Sequence, residues 1–138
     1  MLNPQIILDS LSKQGLMQTI GVICTQVEDG QVTLECEYRD GLSQQHGYFH
    51  AGVLTSIADT ACGYAAYTKM PEGSNVLSVE FKVNFLKPAK ANKIIATGKV
   101  IQAGRTLVIC EGVVTDETRE RVFARMLATM ITVVDSRE

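Results

Sequence analysis

A chain of 138 residues is long enough for one domain with a substantial core. Its apolar fraction of 46 % is ordinary for a soluble globular protein, and no apolar run reaches the roughly 18 residues that a bilayer-crossing helix needs. A net charge of −2 argues against a broadly basic, nucleic-acid-coating surface.

The start, Met1-Leu2-Asn3-Pro4-Gln5, carries no basic segment. No secretory signal is expected, and a cytoplasmic location is the default. Leu2, Ile6, Ile7 or Leu8, and Leu11 recur at helical spacing and Gly15 suits a stop, which predicts a short helix over 2–13. Thr19 to Glu28 is β-branched and strand-like, and Asp29-Gly30 is a strong hairpin turn. In the following run, 31–39, Val32, Leu34, Cys36 and Tyr38 alternate with polar residues, the pattern of a half-buried antiparallel strand.

A polar loop from Asp40 to Phe49 leads into a predicted helix over 51–69. Its outer face carries Gly52, Thr55, Ser56, Asp59 and Gly63 rather than Lys, Glu or Arg, so it is expected to be buried nearly all round. Four strand-like runs follow, at about 76–87, 92–103, 105–116 and 121–134, with joins short enough for antiparallel neighbours. The order is α+β, with an antiparallel sheet wrapped around one long helix. One domain is expected over 1–138, a helix at 1–14 preceding a core at 15–134.

Cys24, Cys36, Cys62 and Cys110 fit no CxxC spacing and are expected to be small buried hydrophobes. No His/Cys/carboxylate cluster has metal-ligand spacing. The charge is unevenly spread: Phe81 to Cys110 holds Lys82, Lys87, Lys90, Lys93, Lys99 and Arg105 and no acid. That zone suits a local anionic partner, or a solvated face of strand lysines. Asp59 has no Lys or Arg one turn away on its own helix, where Thr55, Ser56, Cys62 and Gly63 stand. An unpaired carboxylate among small residues is a candidate acid–base group or nucleophile. Ser78 lies on the opposite face of its strand from Leu77, Val79, Phe81, Val83 and Phe85, so it could reach a site only through the helix of a partner subunit. His50 is open to a capping or core role, and His46 reads as an exposed loop residue.

Four pieces, in this order, carry a resemblance: His50-Ala51-Gly52, then Ile57-Ala58-Asp59-Thr60-Ala61, then Phe85-Leu86-Lys87-Pro88-Ala89, then Gly104-Arg105. Together they resemble the hot-dog-fold acyl-CoA thioesterases, most closely the phenylacetate-pathway type, over about residues 15–134. That group shows His-Gly-Gly, six residues, then Asp or Glu on the central helix, and His50 to Asp59 matches the interval. Two positions depart: Ala51 replaces the first glycine, keeping its backbone N–H, and Gln44 stands where this group often has Asn, with Gln45 beside it.

The resemblance implies a hot-dog fold and hydrolysis of an acyl-CoA, of medium-chain or aromatic acyl group, to free acid and coenzyme A. Asp59 would act as nucleophile or as base on water, and Gln44 would hold that water or the Asp59 carboxylate. The N–H of Ala51, with that of Gly52, would bind the thioester oxygen at the helix start. His50 would orient the loop or polarise the carbonyl, and Ser78 matches an assisting polar position in some relatives. The anionic end of coenzyme A would meet Arg105 at the Gly104-Arg105 turn, and Lys87 and Lys90. Coenzyme A is part of the substrate, and no separate cofactor or metal, nucleic acid or membrane is expected. The site would be built across a homodimer, with dimers pairing into a tetramer. The other readings are a non-catalytic acyl-CoA-binding regulatory domain and a hot-dog hydratase or dehydratase.

Overall fold

A computed structural model describes residues 3–134 of the protein. In chain order they form α1 (Pro4–Ser12), α2 (Gly15–Ile20), β1 (Val22–Glu28), β2 (Gln31–Glu37), α3 (Ala51–Tyr67), β3 (Ser74–Phe85), β4 (Lys93–Ala103), β5 (Leu107–Asp116) and β6 (Val122–Val134). Leu2, expected in the first helix, lies outside the described residues. The six strands make one sheet in the order β1-β2-β4-β5-β6-β3, antiparallel at every pairing. It wraps α3, as the hot-dog arrangement requires.

The N-terminal helix is shorter than 2–13, and the strand expected from Thr19 begins at Val22. Between them Gly15 opens a second helix instead of ending the first. Thr19 and Ile20 have strand propensity, but tertiary contacts override it. Met17 and Ile20 are buried. The Arg39 guanidinium donates to the carbonyl oxygens of Ile20, at 2.6 Å, and Thr19, satisfying end groups that the helix itself leaves free. Gly21, at φ 88°, then turns the chain.

Small residues on α3 let the sheet press directly against it. At Gly98 of β4 an added Cβ would lie 2.3 Å from the carbonyl carbon and oxygen of Ala61 and 2.6 Å from the nitrogen of Cys62, so only glycine fits. The alternation expected of β2 holds, with Val32, Leu34 and Cys36 buried, Gln31 and Glu35 half-buried and Glu37 exposed, and Thr33 is its one departure. Thr33 is 0 % exposed.

The helix is not buried all round in a single chain. Val53, Leu54, Ile57, Ala58, Ala61, Cys62 and Tyr64 are buried, whereas Gly52 is exposed and Thr55, Ser56, Asp59, Thr60 and Gly63 keep partial exposure. That stripe borders β3, the strand at the end of the sheet order. Leu77, Val79, Phe81 and Phe85 on β3 are between 40 % and 58 % exposed.

A bulge between Ser78 and Glu80 breaks the alternation of β3. Ser78 is paired with Met130, Phe81 with Ala128 and Val83 with Met126, and Met130, Ala128 and Met126 are all buried. Because side chains of paired residues share a face, Ser78 is on the helix side together with Phe81, Val83 and Phe85. The opposite-face assignment of Ser78 is thereby corrected: the extra residue, Val79, reverses the parity.

Candidate active site

The loop before α3 is held by its own hydrogen bonds. Ser43 bridges Phe49, the Gln44 N–H donates to the Tyr48 carbonyl at 2.9 Å, and Gly47, at φ 84°, makes the turn. The Gln44 side-chain oxygen accepts from the N–H groups of His46 (2.6 Å) and Tyr48 (3.1 Å). Its two amide N–H donors have no acceptor among the described residues. Phe49 is buried and meets Tyr38 edge to face. Gln44 lines a pocket with His46, Tyr48, Phe49, Ala51, Leu54 and the Phe85–Ala89 segment, about 490 Å³ in volume. Gln45 is exposed and outside it, so the geometry separates two glutamines that the sequence leaves interchangeable.

His50 is the N-cap of α3, and its Nδ1 accepts from the Gly52 N–H at 2.7 Å. That bond puts the imidazole proton on Nε2 and occupies the Gly52 donor. The expectation that Gly52 helps bind the thioester oxygen is corrected accordingly. Glycine serves the cap: a Cβ at Gly52 would lie 3.0 Å from Nδ1. The Ala51 N–H, by contrast, has no acceptor among the described residues. It is a free donor at the positive end of a 17-residue helix.

Asp59 lies eight residues further on. The axial rise of a helix puts it about 12 Å beyond Ala51, too far for both to act on one carbonyl. Its cleft, about 200 Å³, is lined by Gln14, Thr60, Gly63, Tyr64, Val76, Leu77, Ser78 and Met130. The Ser78 hydroxyl donates to Asp59 Oδ1 at 2.7 Å and also touches the Met130 sulfur. Ser78 therefore reaches Asp59 of its own chain, with no partner helix needed. Gln44 and Asp59 do not meet within one chain.

The cations divide in the same way. Lys87 is on the rim of the Ala51 pocket, and Lys90 lines a second cleft that includes Gly47 of the loop. Arg105 sits in the β4–β5 hairpin, closed by the Gly104 N–H on the Leu107 carbonyl at 2.8 Å. A Cβ at Gly104 would approach that oxygen to 2.9 Å, which gives Gly104 a turn role. Across the sheet Leu107 pairs with Ile131 and Ile131 with Leu77, so Arg105 is at the same end of the sheet as the Asp59 cleft, two strands across from it. The 11 residues of β4, about 35 Å of strand, separate it from Lys90. Within one chain Arg105 and Lys87 cannot grip the same anion.

Gln14 and Tyr64 escaped the sequence reading. Tyr64 had a signal: a tyrosine among alanines must find a partner for its hydroxyl when buried. Gln14, in the link between two short helices, had none.

Comparison with known proteins adds family context. The model of the thioesterase superfamily matches residues 46–123. A solved thioesterase family protein from Silicibacter pomeroyi is 38 % identical, with a TM-score of 0.91, over 95 % of this chain and 98 % of that one. A 1,4-dihydroxy-2-naphthoyl-CoA hydrolase of Listeria monocytogenes is 30 % identical over 77 % of this chain and 86 % of its own. The Escherichia coli PaaI protein of the phenylacetic acid degradation operon shares the fold, with a TM-score of 0.82 at 18 % identity, over 91 % of this chain and 88 % of its own.

Proposed function

We propose that this chain, a thioester hydrolase belonging to the thioesterase superfamily, acts on acyl-coenzyme A at sites shared between two copies. The observation that carries the reading is the division of the chemistry along β3. The Ala51 pocket includes Phe85 and Leu86 at one end of that strand, and the Asp59 cleft includes Val76, Leu77 and Ser78 at the other. The edge of β3 is unpaired among the described residues and strongly apolar, which suits pairing with a second copy. In an antiparallel pairing about a two-fold axis, the start of one strand lies beside the end of its mate. The Asp59 cleft of one protomer then faces the Ala51 pocket of the other, and Arg105 of the first approaches Lys87 of the second.

At such a site the Ala51 N–H holds the thioester oxygen as it gains charge, and the Gln44 amide donates beside it. Asp59, kept in place by Ser78, takes a proton from water as the oxygen adds to the carbonyl carbon, or itself attacks that carbon to form a mixed anhydride that water then hydrolyses, releasing the acid and restoring the carboxylate. The C–S bond then breaks, and the departing thiolate takes up a proton to leave as free coenzyme A. Lys87, Lys90 and Arg105 supply positive charge for its phosphates. His50 acts by capping the helix that presents Ala51.

The test is release of free thiol from a panel of acyl-CoAs by the wild-type protein and by Asp59→Asn. Turnover that disappears in the folded variant supports the reading. Turnover that survives Asp59→Asn largely intact removes Asp59 from catalysis, and binding of acyl-CoA without any thiol release returns the chain to the regulatory alternative.

A further inference from the structure

The end of the Asp59 cleft is closed by residues from outside the helix and sheet that frame it. Gln14, in the link between α1 and α2, lines the cleft, and its side-chain N–H donates to the Tyr64 hydroxyl at 2.8 Å. That hydroxyl donates in turn to Ser10 of α1 at 2.9 Å. Tyr64 is buried, and burial pushes its phenol pKa up, against the opposing hydrogen bonds of Ser10 and Gln14, so it stays a neutral hydroxyl. The chain of bonds joins residues 50 and 54 positions apart in sequence. It fixes the Gln14 amide plane, which an amide in free solvent would not need. The amide oxygen and the second N–H of Gln14 have no protein partner among the described residues.

The cleft is small, about 200 Å³ against about 490 Å³ for the Ala51 pocket. Its lining sets an amide, a hydroxyl-bearing ring and Thr60 beside Val76, Leu77 and Met130, and its volume has no room for a long hydrocarbon tail. Resting on the acyl-CoA reading above, we propose that the acyl group extends past Asp59 into this cleft and that Gln14 is a specificity-determining residue there. It recognises a hydrogen-bonding group at the far end of a short acyl chain, and Tyr64 and Ser10 are its positioning residues. Apolar pockets discriminate weakly against an added hydroxyl, whereas a fixed polar partner discriminates strongly against its loss.

The test compares matched acyl-CoAs that differ by one distal hydroxyl, such as 4-hydroxybutanoyl against butanoyl and 4-hydroxybenzoyl against benzoyl. For the wild-type protein, kcat/KM is expected to favour the hydroxylated member of at least one pair by about tenfold or more. Gln14→Leu brings that ratio close to one, chiefly by lowering kcat/KM for the hydroxylated member, and Tyr64→Phe lowers it part of the way. Gln14→Glu, which exchanges the amide donors for a carboxylate, serves as a second probe should Gln14→Leu fail to fold, and it too must change the ratio. A wild-type ratio near one in both pairs, or a ratio that these Gln14 variants leave unchanged, overturns the assignment of Gln14 while the hydrolase reading stands. Failure to release thiol from any member overturns the acyl-CoA reading and this inference with it.

Discussion

The Ala51 pocket and the Asp59 cleft lie on one helix and share one neighbouring strand, yet they are chemical opposites. The first has apolar walls from Phe49, Leu54, Phe85, Leu86 and Ala89, and its polar groups are donors: the free Ala51 N–H and the Gln44 amide. The second is smaller, is closed by Gln14 and Tyr64, and holds the carboxylate. The free Ala51 N–H and the Asp59 carboxylate are thus about two helical turns apart, and a rigid helix cannot bring them together. Under the proposed shared-site reading, each chain carries two half-sites. The exposed small-residue stripe of α3 and the apolar edge of β3 are where another copy would join them.

Substitutions can break this comparison at either half. The largest effect is expected for Asp59→Asn, which keeps the shape and removes the charge: kcat falls by about 10³, within the usual range for a lost general base, while circular dichroism is unchanged. Ala51→Pro is the matching change at the other half. Proline is well tolerated as the first residue of a helix, and His50, at ψ 141°, already has the extended conformation that a following proline demands. Only the N–H is lost, and activity should drop about 10²-fold to 10³-fold.

Mixing the two inactive proteins under exchange conditions sharpens the point. If sites cross between protomers, each mixed dimer regains one intact site, and random pairing restores about a quarter of wild-type activity. No recovery in a mixture proven to exchange would place each site within one chain.

A smaller loss is expected from Gly52→Ala. The new Cβ displaces the His50 imidazole from its cap, lowering stability by about 1 kcal/mol, read as a lower urea midpoint. In His50→Ala the same change at Gly52 should cost much less, because no imidazole remains to displace.

The smallest effect concerns acid. Asp116 is paired near the Ala51 end, accepting from Thr118 and Arg121, while Arg121 also donates to the Lys90 carbonyl. Burial works to raise the Asp116 pKa, but these bonds and the Arg121 charge outweigh it and hold the carboxyl at about 2. A folded pKa below the ordinary value of about 3.9 stabilises the protein fully above about pH 4, and the contribution is lost as pH falls through about 2. Arg121→Met should flatten this acid limb in urea unfolding between pH 5 and 2, leaving stability at pH 7 to 9 without added pH dependence.

Much of this architecture is legible along the chain. Apolar periodicity, the Asp29-Gly30 turn and the prolines locate α3 and the five strands from β2 to β6 to within a few residues, because those signals act locally. The small residues of α3 announce close approach, and Gly98 against Ala61 is that approach. Asp59 is legible as a carboxylate with no ion pair on its own helix, and Gln44, Ala51 and His50 as parts of one loop and helix start. Other features depend on partners distant in sequence. Helix α2 overrides the strand propensity of Thr19 and Ile20 because Arg39 caps it. Ser78 turns toward Asp59 because a bulge, invisible as a pattern of residue types, adds one residue to β3. Gly52 loses its donor to an imidazole two positions earlier, and Gln14 enters the cleft only through a bond to Tyr64. The sequence by itself determined the elements, their order and the chemistry available at each position, since propensity and periodicity are properties of short segments. Only the tertiary structure decided which groups remain free to react, because a hydrogen-bonding group is free or occupied according to what the fold brings beside it.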